Sequence, residues 1–160
     1  MRRNDREIID IPEKLKVLEK CKVCRLGLSD KERPYIVPLN FGYTFVDNKL
    51  TLYFHSANEG RKIDIMKSNN RACFEIDTDH QLIEGANACK CSYSYTSIIG
   101  VGLVEFINEP EEKAASLNIL MKHQTGKDIQ HSYSEEALAS VTVFRMIVEE
   151  FTCKQRPAVS

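Results

Sequence analysis

What this sequence lacks narrows it first. No apolar run approaches the roughly 18 residues needed to cross a bilayer as a helix. The charged start, Met1-Arg2-Arg3-Asn4-Asp5-Arg6-Glu7, leads into no apolar signal core. The expected location is therefore the cytoplasm, with no membrane association. An excess of one charge is also missing. The 22 Lys and Arg are set against 23 Asp and Glu, a formal net charge of −1, so no broad basic field is offered to nucleic acid or anionic lipid. Repeats, low-complexity tracts and linkers are absent, and 160 residues read as a single domain, 1–160, large enough for a real core. No Ser-His-Asp arrangement is suggested. Glu111, Glu112, Glu135 and Glu136 fall in expected first helical turns, where the helix dipole explains them better than paired acid–base chemistry does.

What is present is globular: the hydrophobic share is 42%. The six cysteines include a C-x-x-C at Cys21 and Cys24 and a C-x-C at Cys89 and Cys91, with Cys73 and Cys153 alone. Two such pairs could build a four-sulfur zinc site. However, Cys21-Lys-Val-Cys-Arg-Leu-Gly-Leu28 reads as a strand rather than a knuckle, and it does not open a helix as a redox C-x-x-C would. Buried or half-buried free thiols are the expected state, in keeping with a reducing compartment, and no metal ligands are assigned.

Taken in order, Asp10-Ile-Pro-Glu13 is a capping box with Pro12 in the first turn. It predicts a short helix over about 11–20 that buries Ile11, Leu15 and Leu18. Strands are expected at 21–28, 34–43, 50–54, 71–77, 93–108 and 141–154. Ser29 to Arg33 should form a polar hairpin loop and Val46 to Lys49 a turn. Pro38 cannot donate to a ladder, so it belongs at an edge, a bulge or a bend. Thr78 to Cys91 has no clear period. Gly100 and Gly102 suggest a bend or the close approach of something flat. Asn108 is expected to cap a helix ending near Gly126, and Ser134 a second short one. The last residues, 155–160, read as a polar tail. Hairpins and meanders predominate, so the fold class is α+β: a mainly antiparallel, six-stranded β-barrel with peripheral helices.

The stretch with most chemistry is Tyr53-Phe-His-Ser-Ala-Asn-Glu-Gly-Arg-Lys-Ile-Asp-Ile-Met66. An apolar strand end is followed by Ser56 and Glu59 at capping-box spacing, which predicts a helix from Ala57 to about Ser68. Arg61 and Lys62 would lie in its second turn, where free amides and the dipole favour an anion. An ordinary capped surface helix with solvated cations fits the same residues. His55 is the only histidine inside this motif, so it is the candidate catalytic residue or ligand contact. His80, His123 and His131 are expected at the surface, and Arg33 and Lys127 in solvent.

Three stretches taken together resemble a known family. Pro34-Tyr-Ile-Val-Pro-Leu-Asn-Phe-Gly-Tyr43, Tyr53-Phe-His-Ser-Ala-Asn-Glu-Gly-Arg-Lys62 and Tyr95-Thr-Ser-Ile-Ile-Gly-Val-Gly102 are similar to the FMN-binding split barrels related to pyridoxamine 5′-phosphate oxidase. More narrowly, they resemble the branch of 5-nitroimidazole antibiotic resistance (Nim) proteins. The resemblance implies a split-barrel homodimer with FMN in the grooves between subunits. It places Tyr35, Ile36, Val37 and Pro38 along the flavin ring, Phe54, His55 and Ser56 past the ribityl chain and phosphate, and Arg61 and Lys62 on the phosphate. Tyr95 and Ser97 would reach the flavin from the other subunit. The implied activity is that of an FMN-dependent oxidoreductase or reductase acting on a small molecule, with nitroimidazoles one candidate class. The alternatives are a non-catalytic flavin-binding protein and an oxidase of the pyridoxamine phosphate type. Against the last, the chain ends Gln155-Arg-Pro-Ala-Val-Ser160 rather than in Arg-Leu-x-Pro. Three charge-assisted hydrogen bonds to a phosphate supply about 5–9 kcal/mol gross, whereas a micromolar ligand needs about 8 kcal/mol net. An apolar slot must therefore supply the remainder.

Overall fold

The computed structural model describes residues 4–157; residues 158–160 of the expected polar tail lie outside it. The architecture is a split β-barrel of the α+β class, built on one eight-stranded sheet in the order β3-β2-β6-β7-β8-β5-β4, with β1 pairing β8. Its strands are β1 (Glu7–Ile8), β2 (Val23–Asp30), β3 (Arg33–Asn40), β4 (Gly42–Val46), β5 (Lys49–Ala57), β6 (Arg71–Ile83), β7 (Ser92–Ile107) and β8 (Val141–Arg156). All pairings are antiparallel. The helices are α1 (Ile11–Lys20), α2 (Arg61–Ser68), α3 (Pro110–Thr125) and α4 (Glu135–Ala139).

Six strands become eight for two reasons. The expected strand 34–43 breaks at Phe41, which is fully buried, so β3 and β4 end up on opposite edges of the sheet. The second reason is β1, which is only two residues long. Pro38 lies on the edge strand β3, where its missing N–H can face away from the ladder, as expected. The turn between β4 and β5 uses Asp47 and Asn48 at φ of 50° and 61°, the pair of left-handed residues that a two-residue hairpin requires.

Burial alternates along the strands, as a half-buried sheet demands. On β2, Cys24, Leu26 and Leu28 face the core, and on β8 Phe144, Met146 and Val148 do. Phe54 stacks on Phe144 with ring centroids 5.2 Å apart, and Phe106 joins them at 6.2 Å from Phe144. Helix α3 lies close on β4. A Cβ on Gly42 would come within 2.6 Å of the Leu120 Cα, so only glycine allows this approach. Gly100 and Gly102 are likewise explained from within the chain. Gly100 makes room for the Phe74 ring, and Gly102 for the β8 backbone at a bulge.

Asp10 caps α1 by accepting from the Glu13 amide at 3.2 Å. The helix buries Val17 and Leu18, while Ile11 and Leu15 are only half-buried. Gly126 ends α3 in the left-handed region, φ 69°, and Ser134 caps α4 through the Ala137 amide. The α3 N-cap is Glu109, one residue beyond the expected Asn108, and makes no side-chain cap bond. β6 runs well past Asp77. A bulge between Thr78 and Gln81, with Asp79 at φ 60°, interrupts the period, and Gln81, Leu82 and Ile83 then pair with Ser94, Tyr93 and Ser92. No helix among the described residues is long and apolar enough to cross a membrane.

Candidate functional site

The expected capping box at Ser56 and Glu59 does not form. β5 continues through Ala57 because Ser56 pairs with Thr142 and Ala57 with Val141 on β8. Ser56 Oγ then donates to the Ala57 carbonyl at 2.9 Å. The chain turns instead at Gly60, whose φ of 136° suits glycine. Asn58 pins this turn by donating to the Ala139 carbonyl at 2.8 Å and accepting from Thr142 Oγ1 at 3.0 Å. Helix α2 therefore starts at Arg61. Arg61 and Lys62 stand in its first turn rather than its second, where the backbone amides have no partner within the helix.

The first turn of α2 faces the tip of the β2–β3 hairpin. Between them is a cleft of about 500 Å³ lined by Asp30, Lys31, Glu32, Arg33 and Arg61. Arg61 donates from Nε and Nη2 to Asp30 Oδ2 at 3.1 and 2.9 Å. Its guanidinium also lies 4.8 Å from the centroid of the Tyr35 ring. Lys62 is half-buried and has no hydrogen-bond or ion-pair partner among the described residues. Arg33 is exposed, as expected, and lines this cleft. Its hairpin placement opposite Asp30 was the available signal.

The apolar slot expected along Ile36, Val37 and Pro38 is divided by the strand period. Tyr35 and Val37 pack against the core, while Ile36 and Pro38 face outward. On that outer face Ile36, Gly27, Cys73 and Val101 form one row across β3, β2, β6 and β7. They line an open groove of about 510 Å³ with Tyr35 at its edge. Ile36, Ile99 and Val101 are 67%, 55% and 37% exposed. Basic cleft and apolar groove thus adjoin around Tyr35, on two sides of an edge strand.

Phe54 is fully buried in the core, so only its backbone can meet a ligand. His55 is exposed on β5 and has no partner among the described residues. Tyr95 and Ser97 are not brought to this region within one chain. Tyr95 lies at the far end of β7 from Ile107, which shares the Val143 position of β8 with His55. Tyr95 and Ile107 are about 40 Å apart along the strand at about 3.3 Å per residue. At its own end, Tyr95 has Lys154 Nζ 6.0 Å from its ring centroid. Partial burial works to raise its phenol, but hydrogen bonds from Arg6 and Lys154 outweigh it, and the phenol is held below its ordinary range.

His123 contradicts its expected surface placement. It is 4% exposed, with Nδ1 2.7 Å from the Phe41 carbonyl and Nε2 3.0 Å from the Leu18 carbonyl. Both nitrogens are enclosed in the core against carbonyl oxygens, so neither is presented to a haem or other metal. The cysteines divide evenly: Cys21, Cys24 and Cys153 are buried, but Cys73, Cys89 and Cys91 are exposed rather than buried. Burial, with Asp77 nearby, pushes the Cys21 thiol up to about 11, and burial does the same to Cys153, to about 11. These thiols stay protonated and unreactive at neutral pH. Among the described residues no three His, Cys, Asp or Glu side chains converge as a metal site would require.

Comparison with known proteins bears on the whole chain. No curated protein sequence matches it. Among solved structures, a candidate 5-nitroimidazole antibiotic resistance protein from Bacteroides thetaiotaomicron is 37% identical, covering 93% of this chain and 86% of that one, with a TM-score of 0.80. The flavocytochrome Anf3 from Azotobacter vinelandii is 16% identical over 99% of this chain and 72% of its own, TM-score 0.80. An FAD- and haem-binding protein from Mycobacterium smegmatis is 13% identical over 97% and 76%, TM-score 0.82. At such identities the last two show a shared fold only. A family model described as pyridoxamine 5′-phosphate oxidase matches residues 10–155. The chain, with its split barrel and its basic first turn of α2, belongs to the pyridoxamine 5′-phosphate oxidase family.

Proposed function

We propose that this protein is an FMN-binding flavoprotein that works as a homodimer and as a reductase of a small molecule. The observation that carries the reading is the first turn of α2. Lys62 is a half-buried cation with no partner among the described residues, beside two helix-start amides without helical partners and next to Arg61, which lines the cleft under the hairpin tip with Lys31 and Arg33 as well as Asp30 and Glu32. That donor set fits a phosphate ester, which is close to a dianion at neutral pH. The adjoining groove offers the apolar surface that phosphate contacts alone cannot replace.

The second copy is supported by the exposed apolar side chains Ile36, Ile99 and Val101 on the outer face, the kind of surface that marks an interface. It is supported further by the separation of Tyr95 and Ser97 from Arg61. Those residues can complete a site at the α2 end only when another chain supplies them. Bound FMN supplies the electron chemistry. Arg61, Lys62 and the α2 amides hold the phosphate, and the outer groove with Tyr35 shields the ring from water. His55, exposed and without a partner among the described residues, is placed to hold a proton or contact a substrate.

The substrate class favoured is a small electron acceptor, with nitroimidazoles a candidate because of the 37%-identical relative. The visible absorption spectrum of purified protein titrated with FMN tests the reading. One flavin per chain, bound by a dimer and bleached by a nicotinamide donor, is expected. Protein that stays colourless and takes up no FMN overturns it. Bound FMN that no donor reduces reassigns the chain as a non-catalytic flavin carrier.

A further inference from the structure

The two cations at the start of α2 are in different states. Lys62 has no partner among the described residues, whereas Arg61 is already engaged: two of its nitrogens donate to Asp30 Oδ2 while its guanidinium covers the Tyr35 ring. The pair links the hairpin tip to the helix across the mouth of the basic cleft. Asp30 and Arg61 side chains are 31% and 55% exposed, so the pair is reached by water and can be exchanged. A phosphate entering the cleft offers Arg61 the same two-nitrogen acceptor geometry that the carboxylate offers now.

We infer that Asp30 is an internal competitor for phosphate, a built-in anion that occupies Arg61 until a phosphorylated ligand displaces it. The inference rests on the phosphate assignment made above and adds a residue that sets how strongly the site prefers flavins bearing a phosphate. Its chemistry is simple exchange: Arg61 leaves one oxyanion for another, and no proton or electron moves. Asp30 serves two ends. With the cleft empty it keeps Arg61 folded over Tyr35, so the arginine is pre-positioned rather than free in solvent. With phosphate present it is released and becomes a like charge beside the ligand, which weakens binding. Exposed pairs of this kind contribute a few-fold at most to an equilibrium constant, and a nearby unpaired carboxylate adds a similar repulsion at high effective dielectric.

The test compares FMN with riboflavin, which share the ring and ribityl chain and differ only in the phosphate. Fluorescence titrations would use dimeric protein freed of flavin, as wild type, Asp30→Asn, Asp30→Ser and Arg61→Ala/Lys62→Ala. Removing the carboxylate should tighten FMN about three- to tenfold and leave riboflavin unchanged, and the gain should shrink as salt rises. Both Asp30 variants serve because a hairpin-tip residue tolerates either side chain, and circular dichroism confirms the fold. If both Asp30 variants bind FMN no more tightly than wild type, while Arg61→Ala/Lys62→Ala loses FMN and keeps riboflavin, the phosphate site stands and Asp30 is only a positioning residue. If Arg61→Ala/Lys62→Ala binds FMN as wild type does, the phosphate assignment itself is wrong and the inference goes with it.

Discussion

The two ends of the barrel use nitrogen-bearing side chains in opposite ways. At the α1–α3 end, His123 is buried and both its nitrogens meet carbonyls, of Phe41 and Leu18. Gln124 donates to the carbonyls of Lys22 and Phe41, and Asn40 to Lys22 and to the Gln124 side chain. Tyr43 closes edge-on over His123 at 5.3 Å and reaches Glu19. At the α2 end, Lys62 has no partner among the described residues and Arg61 has an exchangeable one. A buried polar group must be satisfied or it destabilises the fold, so a saturated network signals structure. A cation that still reaches water costs the fold little without a partner and remains available to a ligand. The saturated end contains a sizeable pocket as well, about 450 Å³ beside Tyr43, Phe45 and Ile119. Size therefore does not separate the two ends; the state of the polar groups does.

The sharpest way to break this comparison is to remove His123. His123→Ala leaves the Leu18 carbonyl without its ring partner and opens a cavity beneath Tyr43. The expected loss is about 2–4 kcal/mol of unfolding free energy, read by urea denaturation, with FMN affinity unchanged once the protein is folded. A drop in flavin affinity with stability intact would mean that the buried end belongs to the functional site.

Much of the fold was legible from alternation and turn chemistry. Phe144, Met146 and Val148 alternate with Arg145 and Glu149, Asp47-Asn48 makes a left-handed pair, and Gly126 ends a helix. Each is decided by neighbours a few residues away. The illegible parts depend on distant partners. Ser56 and Glu59 have capping-box spacing, but β8 claims Ser56 as a strand residue through Thr142, and non-local pairing overrides a local cap. The bulge at Asp79 and His80 hid the end of β6 in the same way. His123 could have been read: Ser116, Leu120 and His123 are the buried positions of α3, at the i, i+4, i+7 spacing of a core-facing stripe. On the site side, the basic pair was legible because it lies in one short motif. The division of the apolar slot into inner Val37 and outer Ile36 and Pro38 follows from the strand period and was available from the sequence.

A smaller effect sharpens the same contrast through pH. Burial, then Asp77, raises Cys21 from 9.0 to about 11; burial, then Glu19, raises Tyr43 from 10.0 to about 12. Both groups hold their protons more firmly folded than unfolded. Between these values the unfolded chain binds fewer protons, so stability is fully present below about pH 9 and falls as pH rises toward 11 to 12. The loss should be about 1–3 kcal/mol, measured as urea midpoints at pH 8 to 11, and Cys21→Ala should flatten the slope below pH 10. A slope unchanged by Cys21→Ala would show that the alkaline sensitivity arises away from the saturated end.

The smallest expected change in stability is at Lys62, and it discriminates most finely. If Lys62 is kept for a ligand rather than for the fold, Lys62→Ala should shift unfolding by no more than about 0.5 kcal/mol. The same change should weaken FMN binding by about 1.5–3 kcal/mol, the worth of one charge-assisted hydrogen bond, while riboflavin binds as before. A destabilisation well above that limit would mean that the half-buried stem of Lys62 packs as core against α2 and its neighbours, and the cation would then serve the barrel as His123 does. Unchanged stability together with a selective loss of FMN leaves the lysine with one role, because a cation at a helix start that has no partner among the described residues is then held there for an anion that arrives from outside.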